Sequence, residues 1–353
     1  MKNFFSNLFN KKNKSRTISF SLIIFAYVLI EVLMNVTRMS RLFTSLLVPT
    51  CAYIVVAIAL NLVVGFSGEL SLGHAGFMAI GAFSAVVVSG ILGTVINNEI
   101  LLLVISIIVG GIISGIFGLI ISIPVLKLSG DYLAIVTLAF GQIIKSLLNN
   151  IYLGYDADGL HFSFVTNQIE LNGGKMLLSG PMGASDTAKI SNFTAGFVLI
   201  IFTLFVAYSL IRSKYGRAIM SARDNRIAAE SIGINISKTK TLAFVISAIL
   251  AGMAGSLYAL NYSTLLPAKF DFNTSILILV YVVFGGLGSI NGTIIATTAL
   301  YILPELLREL QDYRMLIYAV VLIVVMQLTN NNKVKQVVNK TSEKWPRKEK
   351  DHE

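Results

Sequence analysis

Four polar side chains, Ser67, Glu69, Ser71 and His74, crowd one glycine-rich stretch of an otherwise apolar region. Thr137 and Gln142 stand in a second such run, LSGDYLAIVTLAFGQ (128–142), beside Phe140. Hydroxyl, imidazole and amide groups offer hydrogen bonds without a fixed charge, which suits a surface that must hold a cargo and release it. At membrane depth polar groups are costly, and they face a bundle interior or a wet cavity. Ser71, His74, Thr137, Phe140 and Gln142 are therefore candidates for lining a translocation path or gating it. The alternatives are plain: Glu69 can sit in an inner loop, His74 can bond nearby backbone, and Thr137 can bond its own helix. On a helix, Thr137, Gly141, Ile144 and Lys145 fall close to one face.

The stretch YGRAIMSARDNRIAAESIGI (215–234) offers different chemistry. Arg212, Lys214, Arg217, Arg223, Arg226, Lys238 and Lys240 surround it against Asp224 and Glu230. It reads as one or two short amphipathic helices that stop at Gly233, where a residue without a side chain suits a left-handed turn. Ile219, Ala222, Ile227 and Ala228 place apolar patches between the basic positions. Such a helix can press into a groove on a soluble partner or lie on an anionic membrane surface. The Ala-Ala-Glu-x-x-Gly spacing, Ala228 to Gly233, favours a partner.

Other chemistries are excluded by what is missing. Neither NGGKM (172–176) nor 233–241 fits the phosphate-binding Gly-x-x-x-x-Gly-Lys-Ser/Thr pattern. GGLG (285–288) lacks the strand and the later acid of a dinucleotide turn. Ser71 and His74 have no orienting partner in sequence. Cys51 is the only cysteine, and the three histidines lie far apart. The chain is thus expected to be no enzyme and to hold no cofactor or metal. Any ATP and Mg belong to another chain.

The elements that position these residues must be membrane helices. Of 353 residues 55% are hydrophobic and 13% charged, with a mean hydropathy of +0.77. Soluble chains carry about 25% charged residues. Ten apolar segments are predicted, at 17–36, 42–64, 71–92, 100–126, 131–151, 193–212, 241–261, 273–289, 292–304 and 314–329. Roughly 20 apolar residues cross a bilayer; the third, fifth and ninth segments are weaker, so eight to ten crossings are expected. The class is an all-α integral membrane protein. Basic clusters mark cytoplasmic segments: a tail at 1–16, the loop 212–240 and a tail at 330–353, flanking a membrane domain at 17–329. The acidic loop 152–192 then lies outside, and both termini inside. Nothing supports nucleic acid as a partner; lipid is one.

Small residues recur at helical spacing: Gly110, Ser114 and Gly118; Gly111 and Gly115; Ala248, Gly252 and Ser256; Ala251, Gly255 and Ala259. Such stripes let membrane helices approach closely. Two glycine-rich joints, GFSGELSLGHAG (65–76) and FGGLGSING (284–292), interrupt apolar runs in corresponding parts of two halves. Paired interruptions of this kind point to a transport pathway built on internal repeats.

The stretches LSLGHAGFMAIGAF (71–84), LSGDYLAIVTLAFGQI (128–143), GRAIMSARDNRIAAESIGI (216–234), LAFVISAILAGMAGSLYA (242–259), FGGLGSINGT (284–293) and LPELLR (303–308) resemble the LivM-type permeases of branched-chain amino acid ABC importers. The chain departs from the family's pattern at Gln142, where an acid is usual, at QLTNNN (327–332) and at YDADGL (155–160). The resemblance implies a discontinuous helical permease fold in a bacterial cell membrane. It implies a sister permease (LivH-type), two cytoplasmic ATPase subunits and an external substrate-binding protein. It also implies that 216–234 is the coupling helix: Ala228, Ala229, Glu230 and Gly233 carry the motif, and Arg217, Arg223, Asp224 and Asn225 complete the contact. Related permeases carry urea, nucleosides or sugars. An ion-coupled carrier is the rival class, and it needs buried charges in mid-membrane; Glu31, Asp131 and Lys145 are the candidates.

Overall fold

The computed structural model describes residues 14–36, 41–126, 131–156, 159–164 and 174–307, with isolated positions up to 323. Most of the N-terminal tail, all of the C-terminal tail, Asp158 and Glu170 in the outer loop, and most of the tenth apolar segment lie outside them, as does the side chain of Asp131. The chain divides into two units at Thr298/Ala299, and the contacts described below lie within the first.

A chain without water must pair its backbone groups within each segment, which leaves helices for long apolar runs. The described helices are α1 (Lys14–Val36), α2 (Arg41–Asn61), α3 (His74–Leu92), α4 (Glu99–Val125), α5 (Asp131–Asn150) and α6 (Phe193–Arg212). Then come the short α7 (Lys214–Asp224) and α8 (Arg226–Ser231), followed by α9 (Ile236–Ala259), α10 (Phe272–Gly285) and α11 (Ile290–Leu306). Each of the first nine predicted apolar segments coincides with one of these helices. Six described helices are long and apolar enough to cross a membrane: α2 with its extension to Phe66, α3, α4, α5, α6 and α9. The apolar parts of α1, α10 and α11 are shorter. At about 1.5 Å per residue, 14 residues of α10 reach roughly 21 Å, less than a bilayer core. The protein is a multi-pass membrane protein.

The small-residue stripes meet. A side chain added at Gly110 would strike Ser256, one at Gly252 would strike Ser114, and one at Gly118 would strike Ala248. This order makes α4 and α9 antiparallel neighbours, with the Gly110–Ser114–Gly118 stripe set against Ala248–Gly252–Ser256. Ser114 Oγ crosses the seam to the Ala248 carbonyl at 2.8 Å. The other stripe of α9 faces α3, where Gly255 sits against the Met78 carbonyl. These contacts leave α9 wedged between α3 and α4, with most of its residues buried.

The chain is not purely α. The loop expected after α5 contains strands β1 (Ile151–Asp156), β2 (Gly159–Phe164), β3 (Lys175–Ser179) and β4 (Ala184–Ser185). They form an antiparallel sheet β2-β1-β3, in which Asp156 pairs with Gly159 at the hairpin, while β4 pairs with β5 (Thr264–Leu265). Large apolar residues in alternation with polar ones suit a half-exposed strand, and LHFSF (160–164) has that pattern. Further bonds tie this loop to the end of α9: Thr187 N donates to Ser263 O at 3.0 Å, and Ser191 Oγ to Leu257 O at 2.9 Å. The Lys175 ammonium, hydrogen-bonded to Asp186 at 2.6 Å, holds that carboxyl below the ordinary carboxylate range. The sheets thus occupy one end of the bundle, and α7 and α8 the other.

Candidate functional site

Helix α7 begins where Ser213 Oγ accepts from Gly216 N at 3.0 Å, an ordinary N-cap. Asn225 (φ −153°, ψ 104°) breaks the helical path and caps α8 through Ala228 N at 3.0 Å. Gly233 ends α8 at φ +84°, with Gly233 N bonded to Glu230 O and Ile234 N to Ala229 O. That pair of bonds is the Schellman stop, which favours glycine at this position. Ala222, Ala229 and Ile236 form a small core, against which Ile234 packs, and this holds α8 onto α7 and α9.

Of the coupling candidates, Ala229 is buried in that core, while Arg217, Arg223, Asp224, Asn225, Ala228, Glu230 and Gly233 are exposed. Arg217 Nη1 donates to Arg212 O at 3.2 Å. Arg226 pairs with Glu230 at 3.2 Å, and Arg223 with Asp224 at 2.8 Å. Ile227 and Ile232 stand 81% and 74% exposed. The unit is a rigid double helix-turn with an apolar tip inside a rim of charges.

The joint after α2 reaches up to this unit. α2 runs into a π-turn, Leu62–Phe66, where Glu69 N bonds Val63 O at 3.1 Å. Arg223 Nη1 bonds Gly65 O at 2.9 Å. Glu69 itself is buried and paired with Lys240 in the first turns of α9. This charge pair sits at the end of the bundle that carries α7. The two glycine joints touch, since a side chain at Gly65 would overlap both Asn61 and Gly288. Asn61 is fully buried, accepts from Gly288 N at 2.8 Å and donates to Thr293 Oγ1 at 2.7 Å.

The path candidates lie deeper and are packed. His74 is buried, its Nε2 2.7 Å from Ser247 Oγ and its Nδ1 3.2 Å from Ser71 Oγ. Thr137 Oγ1 accepts from Leu72 N and donates to Ala134 O, each at 3.0 Å. The Phe140 ring lies tilted against Phe77 at 4.9 Å, and Phe77 meets Phe244 edge-on at 5.5 Å. Gln142 is half-buried on the neighbouring turn. The structure brings Ser71, His74 and Thr137 into one polar seam between α3, α5 and α9, closed by aromatic rings.

Residues 42–326, which include both joints, the seam and the α7–α8 unit, match the family described as the permease component of branched-chain amino acid transport systems. The chain belongs to this family. It is 34% identical over 288 residues, 78% of its length, to the high-affinity branched-chain amino acid transport system permease protein LivM of Salmonella typhimurium. The Escherichia coli protein of that name is 33% identical over 78% of the chain. The chain spans 66% of the length of these two relatives. A probable LivM from Methanocaldococcus jannaschii is 24% identical over 74% of the chain and 79% of its own length. No solved structure matches it. The relatives are named as transport permeases rather than enzymes, and among the described residues of this family member no cluster of three or more His, Cys, Asp or Glu could hold a metal ion.

Three residues of these contacts lie outside the sequence candidates. Asn61 sits inside an apolar segment, although a lone amide at membrane depth is a signal in itself. Lys240 belongs to the basic loop, and its partner Glu69 is 171 positions away. Ser247, which joins His74 to the Ala59 carbonyl, carried no local mark at all.

Proposed function

We propose that this chain is the membrane-spanning subunit of an ATP-driven importer for branched-chain amino acids. It works beside a LivH-type sister permease, receives cargo from an external binding protein and is driven by two cytoplasmic ATPase subunits. Both termini and the α7–α8 unit face the cytoplasm, and the β-sheets face outward. The observation that carries this reading is the α7–α8 unit itself: an exposed Ile227 tip, a charged rim and a rigid core joined directly to α9. A surface apolar tip of this kind needs a partner's groove. The seam of Ser71, His74 and Thr137 acts as a gate wall, packed in the resting state, and Gln142 borders it.

Purification of the chain with a co-expressed ATPase subunit tests the reading. Reversing Arg217 and Glu230 together (Arg217→Glu with Glu230→Lys) is expected to weaken retention of the ATPase while the chain still inserts. A complex that survives unchanged sinks the coupling assignment. Uptake of leucine, isoleucine or valine with no nucleotide hydrolysed anywhere in the assembly sinks the importer reading as a whole.

A further inference from the structure

We infer that Arg223 and Asn61 are positioning residues, forming a strut that carries movement of the α7–α8 unit through the Leu62–Phe66 turn to the second glycine joint. The inference rests on the importer reading above. It starts from a diverted backbone bond. In an unbroken α-helix Glu69 N would close on Gly65 O. Here it closes on Val63 O, and Arg223 Nη1 takes the Gly65 carbonyl instead. A carbonyl withdrawn from its helix needs another donor, and this donor comes from the coupling segment.

Glycines clear the route. Gly68 has φ +74°, and a side chain there would strike the Arg223 stem. Gly65 leaves room for the Asn61 amide and the Gly288 backbone. Asn61 continues the connection, holding Gly288 N on one side of its amide and Thr293 Oγ1 and Ser289 O on the other. A shift of Arg223 therefore pulls on the end of α2 and, through Asn61, on the turn between α10 and α11. The π-turn Leu62–Phe66 ends α2. Beside it lies an apolar cleft lined by Leu62, Phe66, Leu210, Ile219 and Met220. Its lining is apolar, so the Arg223 bond to Gly65 is the polar contact described between α7 and this turn.

The assembled importer in proteoliposomes, assayed at once for leucine uptake and ATP hydrolysis, tests the strut. Coupling between sites is commonly worth 5–150-fold, so Asn61→Ala is expected to lower uptake per ATP by about tenfold while hydrolysis stays within about twofold of wild type, and Arg223→Ala is expected to lower the same ratio. Arg223→Lys, which can still donate to Gly65 O, is expected to recover much of the ratio. Asn61→Ala cuts the strut at its other end and covers the case in which Arg223→Ala assembles poorly. The double variant is expected to be no worse than the worse single, as for two links of one chain. An unchanged ratio in Arg223→Ala or in Asn61→Ala, including a parallel fall of uptake and hydrolysis, overturns the strut alone. Wild-type assemblies that hydrolyse ATP and move no leucine, isoleucine or valine overturn the cargo reading and this inference with it.

Discussion

Lys240 at the foot of α9 closes an ion pair on Glu69 in the joint after α2, with side chains only 12% and 11% exposed. It locks the second helix of the bundle to the ninth, at the same end as the Arg223 bond to Gly65. Two charges that far from water are tolerated because each answers the other.

That pair makes a prediction about stability. Lys240→Met leaves Glu69 buried without its counter-charge, which for such pairs costs about 3–5 kcal/mol. Lys240→Met with Glu69→Gln removes both charges and is expected to regain most of the loss. Melting of the detergent-solubilised chain compares them; equal melting points for single and double variants would show that the pair contributes nothing as a pair.

The seam between α4 and α9 depends on the absence of side chains. Gly252→Val pushes atoms into the Ser114 side chain and the Gly110 carbonyl, and overpacking of this kind costs about 1–3 kcal/mol. Adding Ser114→Gly is expected to return part of that. Ile120→Leu, on the exposed face of α4, serves as the control and is expected to leave melting unchanged.

Labelling separates packed wall from wet surface. In a Cys51→Ala background, His74→Cys and Thr137→Cys are expected to resist a membrane-impermeant maleimide in the resting state, because both positions are buried. Ile227→Cys is expected to react only in inverted vesicles, and Phe162→Cys, on the exposed face of β2, only in intact cells. Reaction of both from the same side contradicts the proposed topology, and rapid reaction at 74 contradicts a closed gate.

Gly233 isolates a purely conformational cost. Nothing lies within reach of an added side chain there, yet its φ is +84°. Gly233→Ala is therefore expected to cost roughly 1 kcal/mol and Gly233→Asn less. The loss is local, so limited proteolysis between Asn225 and Ile236 is the measurement, and a change in global melting with no change in cleavage speaks against it.

Much of this was legible in order of residues. The apolar segments marked nine helices because hydrophobic length is a local property. Gly233 marked the end of α8 because left-handed stops are local too. The small-residue stripes announced close helix contacts, and the structure adds which stripe meets which. The strands were missed: their pattern is short, and their pairing joins β4 to β5 across the whole of α6 and α9.

Composition and spacing alone determined that this is a membrane bundle with an amphipathic segment between two runs of apolar helices, because burial in lipid and turn chemistry act over a few residues. Only the tertiary structure decided that Arg223 turns back to Gly65, that Asn61 bridges the two joints and that Glu69 finds Lys240. Each of those bonds closes over a hundred or more residues, and partners at that separation are chosen by packing of the helices that carry them, which no local pattern encodes.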